Sequence, residues 1–177
     1  MLTEIVLVDE NDVQTGTMEK MEAHEKGLLH RAFSVFIFNK KGEFLLQQRA
    51  LNKYHNGGLW TNSCCSHPFP GEDVLNAANR RLGEEMGFET KLSPLFNFIY
   101  KATFNNGLTE YEFDHVFTGI YDGAINADKN EVNDYCFKTL DEIQSSLLMN
   151  GNQYTEWFKI ALPEVISFHE ENFNKKS

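Results

Sequence analysis

The stretch from Glu72 to Phe88 constrains this chain more than any other. Val74, Leu75, Ala78, Leu82 and Met86 recur at the spacing of one helical face, and Gly87 supplies the residue type that ends such a helix. The spacing predicts a helix from about Glu72 to Met86 with its apolar side buried. Arg81 and Glu85 then stand four residues apart on its edge, where a surface ion pair would be enough to explain them. A helix with one apolar face needs something to cover it. Hydrophobic residues make up 41% of the chain, with 15 Phe, 6 Tyr and 2 Trp, and these demand a core or a pocket.

At 177 residues the chain has the size of one domain, and residues 1–177 show no repeat, long linker or low-complexity block. Thr3–Asp9 reads as a strand and Glu19–Lys26 as a short helix stopped by Gly27. His30–Asn39 and Glu43–Arg49 read as a hairpin turning at Lys40-Lys41-Gly42, and Leu59–Cys65 as a further strand. Long β segments flank a turn at Asn105-Asn106-Gly107, and Glu131–Lys138 adds another. Two helices are expected last, Leu140–Met149 and a Tyr154–Phe173 segment interrupted by Pro163. The expected class is α+β, with mixed β-sheets flanked by helices.

Charge and cysteine usage narrow the function classes. With 16 basic against 26 acidic residues the net charge is −10, which argues against a nucleic-acid face and an anionic membrane surface. The longest apolar run, Ala32–Phe38, falls far short of the ~20 residues a membrane helix needs, and the first residues carry no secretory pattern. Three cysteines, two of them adjacent, read as reduced thiols, so the expected compartment is the cytoplasm. The expected partner is a small molecule, and the expected state is a monomer or weak homodimer.

Two segments carry chemistry. In Trp60-Thr61-Asn62-Ser63-Cys64-Cys65-Ser66-His67-Pro68, Cys65 and His67 stand at i and i+2, on one face of a strand, with Cys64 on the other. Thr109–Phe117 separates Glu110, Glu112 and Asp114 from Tyr111, Phe113, His115 and Phe117. A half-buried strand with a solvated acidic face has the same pattern, but like charges at i and i+2 repel unless a cation lies between them. His24, His30 and His67 with Glu110 and Glu112 offer three nitrogens and two oxygens, a set suited to Mn²⁺, Zn²⁺ or Fe²⁺. His55, His115 and His169 receive no role.

Glu72, Arg80, Leu82, Glu84, Glu85, Gly87 and Phe88 stand at the spacing of the Nudix signature, and the segment resembles it. There a helix aims carboxylates at a diphosphate-bound divalent ion, and the hard ion Mg²⁺ suits such oxygen ligands. Ser66 stands where that signature has glycine, and Arg81 where it has glutamate. Arginine in place of a carboxylate removes a metal ligand and adds a phosphate anchor, which argues against hydrolysis.

Leu29-His30-Arg31-Ala32-Phe33, Arg49-Ala50-Leu51-Asn52-Lys53, Leu59-Trp60-Thr61-Asn62-Ser63, Cys65-Ser66-His67-Pro68, Arg80-Arg81 and Glu110-Tyr111-Glu112 together resemble type 1 isopentenyl-diphosphate isomerase. The resemblance covers nearly the whole chain and implies a Nudix-like fold. It implies His24, His30, His67, Glu110 and Glu112 as ligands of one divalent ion, Mn²⁺ or Zn²⁺. Cys65 and Glu112 match the facing catalytic pair, and Tyr100 the catalytic tyrosine. Lys20, Arg49, Lys53 and Arg81 match diphosphate anchors, Glu85 the ligand of the substrate's Mg²⁺, and Trp157 the aromatic over the alkene.

The implied reaction, part of isoprenoid biosynthesis, protonates C4 of isopentenyl diphosphate and removes a proton from C2, through a tertiary carbocation at C3. An aromatic pocket that excludes water suits that cation. Glu112, supported by Tyr100, is expected to deliver one proton and Cys65 to remove the other. The rival readings are a Nudix diphosphate hydrolase and an inert diphosphate binder. Arg81 weighs against the first; the thiol and the ligand set weigh against the second.

Overall fold

The computed structural model describes residues 3–53, 56–104 and 107–173. An antiparallel hairpin, β1 (Glu4–Val8) and β2 (Gln14–Glu19), leads into helix α1 (Lys20–Lys26). β3 (His30–Phe38) is central: it pairs antiparallel with β1, β4 (Phe44–Arg49) and β6 (Cys64–Ser66), and parallel with β8 (Thr109–Ile120). β4 also pairs with β5 (Trp60–Thr61) and β9 (Val132–Lys138), and β8 with β7 (Ser93–Thr103). Helix α2 (Val74–Met86) follows β6, and α3 (Leu140–Asn150) and α4 (Glu156–Phe173) follow β9. The nine strands form a single mixed sheet flanked by helices, an α+β arrangement.

β3 is apolar along almost its whole length because both its faces are covered. Phe33, Val35 and Ile37 join Leu82 and Met86 of α2 in one core. Phe36 and Phe38 join Ile143, Trp157, Phe158 and Val165 of α3 and α4 in the other.

Local differences from the sequence reading have local causes. α2 begins at Val74, not Glu72, because Asp73 caps it by accepting from the Asn76 amide at 3.0 Å. Glu72 instead accepts two hydrogen bonds from Arg80, at 2.7 and 2.8 Å. Gly87 ends α2 at φ 73°, and a Cβ there would stand 2.2 Å from the Asn126 carbonyl oxygen. Leu59–Cys65 is not one strand but two short ones. At the break, Ser63 Oγ donates to Leu45 O at 2.7 Å and accepts from Ile37 N at 2.9 Å, so a side chain serves backbone groups of both neighbouring strands.

β2 has no apolar alternation and is ordered by its pairing with β1. α4 runs unbroken through Pro163: one helical hydrogen bond is lost, while Trp157, Phe158, Ala161, Leu162 and Val165 are buried on both sides of it. Asn105 and Asn106 of the expected turn lie outside the described residues; Gly107 has φ 83°. Among the described residues, no helix is long and apolar enough to cross a membrane.

Candidate active site

Four elements bring a cluster of ligand-type side chains to one end of the β3–β8 pair. α1 carries His24, β3 opens with His30, His67 follows β6, and β8 supplies Glu112, the register partner of His30. One ligand atom from each lies within 4.8 Å of the others. Glu112 Oε1 is 3.0 Å from His67 Nε2 and 3.5 Å from His30 Nε2. His24 Nδ1 donates to the Lys20 carbonyl at 2.6 Å and His30 Nδ1 to that of Leu28 at 2.8 Å, which turns both Nε2 lone pairs toward the cluster. His30 Nε2 is buried without a hydrogen-bond partner, as a metal-ligating nitrogen would be. Burial pushes the His24 ring below its ordinary pKa and the His67 ring down to about 3. Both are therefore neutral, the form that ligates metal. Burial alone would raise Glu112, but the His30 and His67 imidazoles beside it hold it well below the usual carboxylate range. Three imidazoles and a carboxylate suit a divalent ion of the Mn²⁺ or Zn²⁺ kind.

Glu110, expected as a fifth ligand, is buried in the same cavity but lies outside this group of four. The Tyr100 hydroxyl lies 2.9 Å from Glu110 Oε2 and 2.6 Å from Glu112 Oε2. One hydroxyl hydrogen cannot serve both. Burial and the neighbouring Glu112 push Glu110 up to about 8, so at neutral pH Glu110 holds its own proton and Tyr100 donates to Glu112. Burial also raises the phenol of Tyr100, which stays protonated.

His67, Tyr100, Glu110 and Glu112 line a narrow cavity of about 40 Å³ together with Lys20, Ser34, Arg49, Cys65, Ser66 and Trp157. The structure sends the two adjacent thiols opposite ways. Cys65 faces the cavity, whereas Cys64 is fully buried in the core under α2. Burial pushes the Cys65 thiol up to about 12, against the pull of Arg49, whose guanidinium nitrogen stands 3.9 Å from Sγ. Ser34, which the motifs passed over, is the register partner of Cys65 and donates to the buried Asp114 at 2.7 Å. That pairing follows from a strand order no local pattern reveals.

A second cavity of about 290 Å³ adjoins the first, sharing Lys20, Ser66 and His67, and is also lined by Lys53, Arg80 and Arg81. Arg81 reaches Glu84 at 2.7 Å, Glu85 at 2.6 Å and Glu131 at 3.5 Å, and Lys53 also pairs with Glu131. Glu85 is buried and accepts from Gln47 at 3.0 Å as well. The mouth is thus a lattice of basic side chains held by carboxylates, able to exchange those carboxylates for phosphate oxygens. Of the residues given no role, His115 pairs with Asp12 at 2.9 Å, His169 bonds the Gly42 carbonyl at 2.7 Å, and His55 lies outside the described residues.

The NUDIX domain family matches residues 28–158. An isopentenyl-diphosphate Delta-isomerase of Pectobacterium atrosepticum is 51% identical over 164 residues, covering 93% of this chain and 92% of its own. Isopentenyl-diphosphate Delta-isomerase 2 of Aromatoleum aromaticum is 44% identical over 172 residues, covering 97% and 91%. Among solved structures, DR0079 from Deinococcus radiodurans matches with a TM-score of 0.69 at 19% identity, covering 83% of this chain and 90% of its own. The MutT protein of Methanosarcina mazei Go1 matches with 0.65 at 23% identity, covering 84% and 96%. The two structures share the fold, and the two sequence relatives carry the narrower kinship. The chain belongs to the isopentenyl-diphosphate Delta-isomerase family of NUDIX-domain proteins.

Proposed function

We propose that this chain interconverts isopentenyl diphosphate and dimethylallyl diphosphate, with Cys65 and Glu112 as its acid–base pair. One observation carries the reading: a thiol, a tyrosine-bonded carboxylate and an indole line one narrow cavity, which adjoins a cluster of lysines and arginines. A hydrolase needs room for water at the phosphorus, whereas this geometry holds a short carbon chain away from water, with its diphosphate in the basic mouth.

Lys20, Arg49, Lys53 and Arg81 would bind the diphosphate, with Glu85 holding the Mg²⁺ that accompanies it. His24, His30, His67 and Glu112 would hold the further divalent ion, Mn²⁺ or Zn²⁺, with Glu110 beside it, and the bound ion supplies positive charge that keeps the cluster together. In the ligand-free chain Glu112 is ionised and Cys65 keeps its proton. The cycle therefore begins with a proton leaving Cys65, whose thiolate Arg49 stabilises, and a proton reaching Glu112 by way of Tyr100.

The alkene electron pair then takes that proton at C4, leaving the cation at C3. Cys65 removes a proton from C2, and the electrons of that C–H bond become the new C2–C3 double bond. Trp157 excludes water and offers a π surface worth about 0.5–2 kcal/mol to a nearby cation. Every residue of this scheme comes from one chain, so a monomer or weak homodimer suffices. Phosphorus and proton NMR of protein incubated with isopentenyl diphosphate and Mg²⁺ tests the reading. Dimethylallyl diphosphate is the expected product, and free phosphate or unchanged substrate overturns it.

A further inference from the structure

Asn62 stands between β5 and β6, has no contact with the cavity, and is fully buried. Its side-chain amide uses every hydrogen-bonding position it has. Oδ1 accepts from Trp157 Nε1 at 3.2 Å and from Thr61 Oγ1 at 2.8 Å. Nδ2 donates to the Val35 carbonyl at 3.2 Å and to that of Cys64, the residue before the proposed base, at 2.7 Å. Because the Thr61 hydrogen goes to Asn62, the hydroxyl of Thr155 must be the donor in its 2.8 Å contact with Thr61. Thr155 N in turn donates to Trp60 O at 3.0 Å, just ahead of α4.

One amide thus joins the indole of Trp157 to the peptide that carries Cys65. We infer that Asn62 is a positioning residue for the isomerisation: it holds the indole by its N–H, so that the ring rather than the N–H meets the cavity, and fixes that ring against the Cys65 strand. An indole N–H turned toward the substrate would repel a carbocation. Geometry at the reacting carbons depends on both groups at once, and a single rigid link costs less order than two separate ones. The inference rests on the isomerase reading.

The test compares Asn62→Ala in two backgrounds, wild type and Trp157→Phe, scoring kcat, KM and bound metal. Phenylalanine has no N–H for the amide to hold. Asn62→Ala is therefore expected to lower kcat about tenfold in the wild-type background, with KM and metal content nearly unchanged, and by less than about threefold beside Trp157→Phe. Equal losses in both backgrounds, or a loss shared by KM and metal content, would mean that Asn62 only supports the fold and would overturn the inference. Should Asn62→Ala fail to fold, 3-benzothienylalanine at position 157 replaces the N–H by sulfur and leaves Asn62 intact. It should show the same drop in kcat, and unchanged turnover overturns the inference. Wild-type turnover is read first. If wild type forms no dimethylallyl diphosphate, the isomerase reading falls and the inference with it; turnover with unaffected variants removes the inference alone.

Discussion

Adjacent residues of one type have separate fates here, and the two thiols show it best. Alternation along β6 puts Cys65 in the cavity and Cys64 in the core under α2. Cys64→Ala should therefore keep most activity and cost about 1 kcal/mol of stability, the usual scale for one small buried group. Cys65→Ala should lose at least ~10²-fold in turnover while staying folded and loaded with metal, since it removes a proton-transfer group. Turnover, thermal melting and the loss of deuterium from C2-labelled substrate, measured on both variants, check this. An essential Cys64 with a dispensable Cys65 would reverse the strand register proposed for the mechanism. The motif alone indicates that two faces exist, but the side on which the cavity lies depends on what covers each face.

At the scale of the element, α2 does two jobs with its two sides. The apolar side packs under β3, and the charged side presents Arg80 and Arg81 to the basic mouth. Arg81→Ala should weaken substrate binding by ~1.5–3 kcal/mol, the scale of a charge-assisted hydrogen bond left unmade. Glu85→Gln should instead raise the Mg²⁺ needed for half-maximal activity, so titrations of substrate and Mg²⁺ separate the two. If neither parameter moves in either variant, this side of the helix only supports the fold.

The Glu72–Arg80 pair at the start of α2 has a different signature. Hydrogen bonds from Arg80 hold Glu72 below its ordinary pKa, so their contribution is fully present above the unfolded-state pKa of Glu72. It is lost as pH falls through the lower folded value. Glu72→Gln should thus lower the melting temperature at pH 7 while narrowing its difference from wild type in acid. A difference that stays constant across that window would show that the pair adds nothing.

For the whole molecule, the cluster of three histidines and Glu112 is where the chain closes on itself, since α1, β3, β8 and the segment after β6 meet there. Purified protein should carry about one tightly held divalent ion, and His67→Asn should lose it. Elemental analysis checks this: stoichiometric metal unaffected by the substitution would remove His67 from the site. Chelation should also lower the melting temperature, because an ion that binds only the folded chain stabilises it by mass action. By itself the sequence determined what is periodic and local: the buried stripe of α2, a β3 apolar on both faces, and the segregation of acids along β8. It also determined the shared side of Cys65 and His67. Only the tertiary structure decided that the acidic face of β8, the one a solvated strand would turn outward, is the buried one. There Glu112 joins three histidines while Glu110 stands back on Tyr100. It alone decided that the polar Gln14–Glu19 is a strand, that α4 passes Pro163 unbroken, and that Asn62 ties an indole to a thiol-bearing strand. The physical reason is one of range. Periodicity sorts side chains between two faces of a single element, whereas burial, pKa and hydrogen-bond partners depend on which distant segments close over each face.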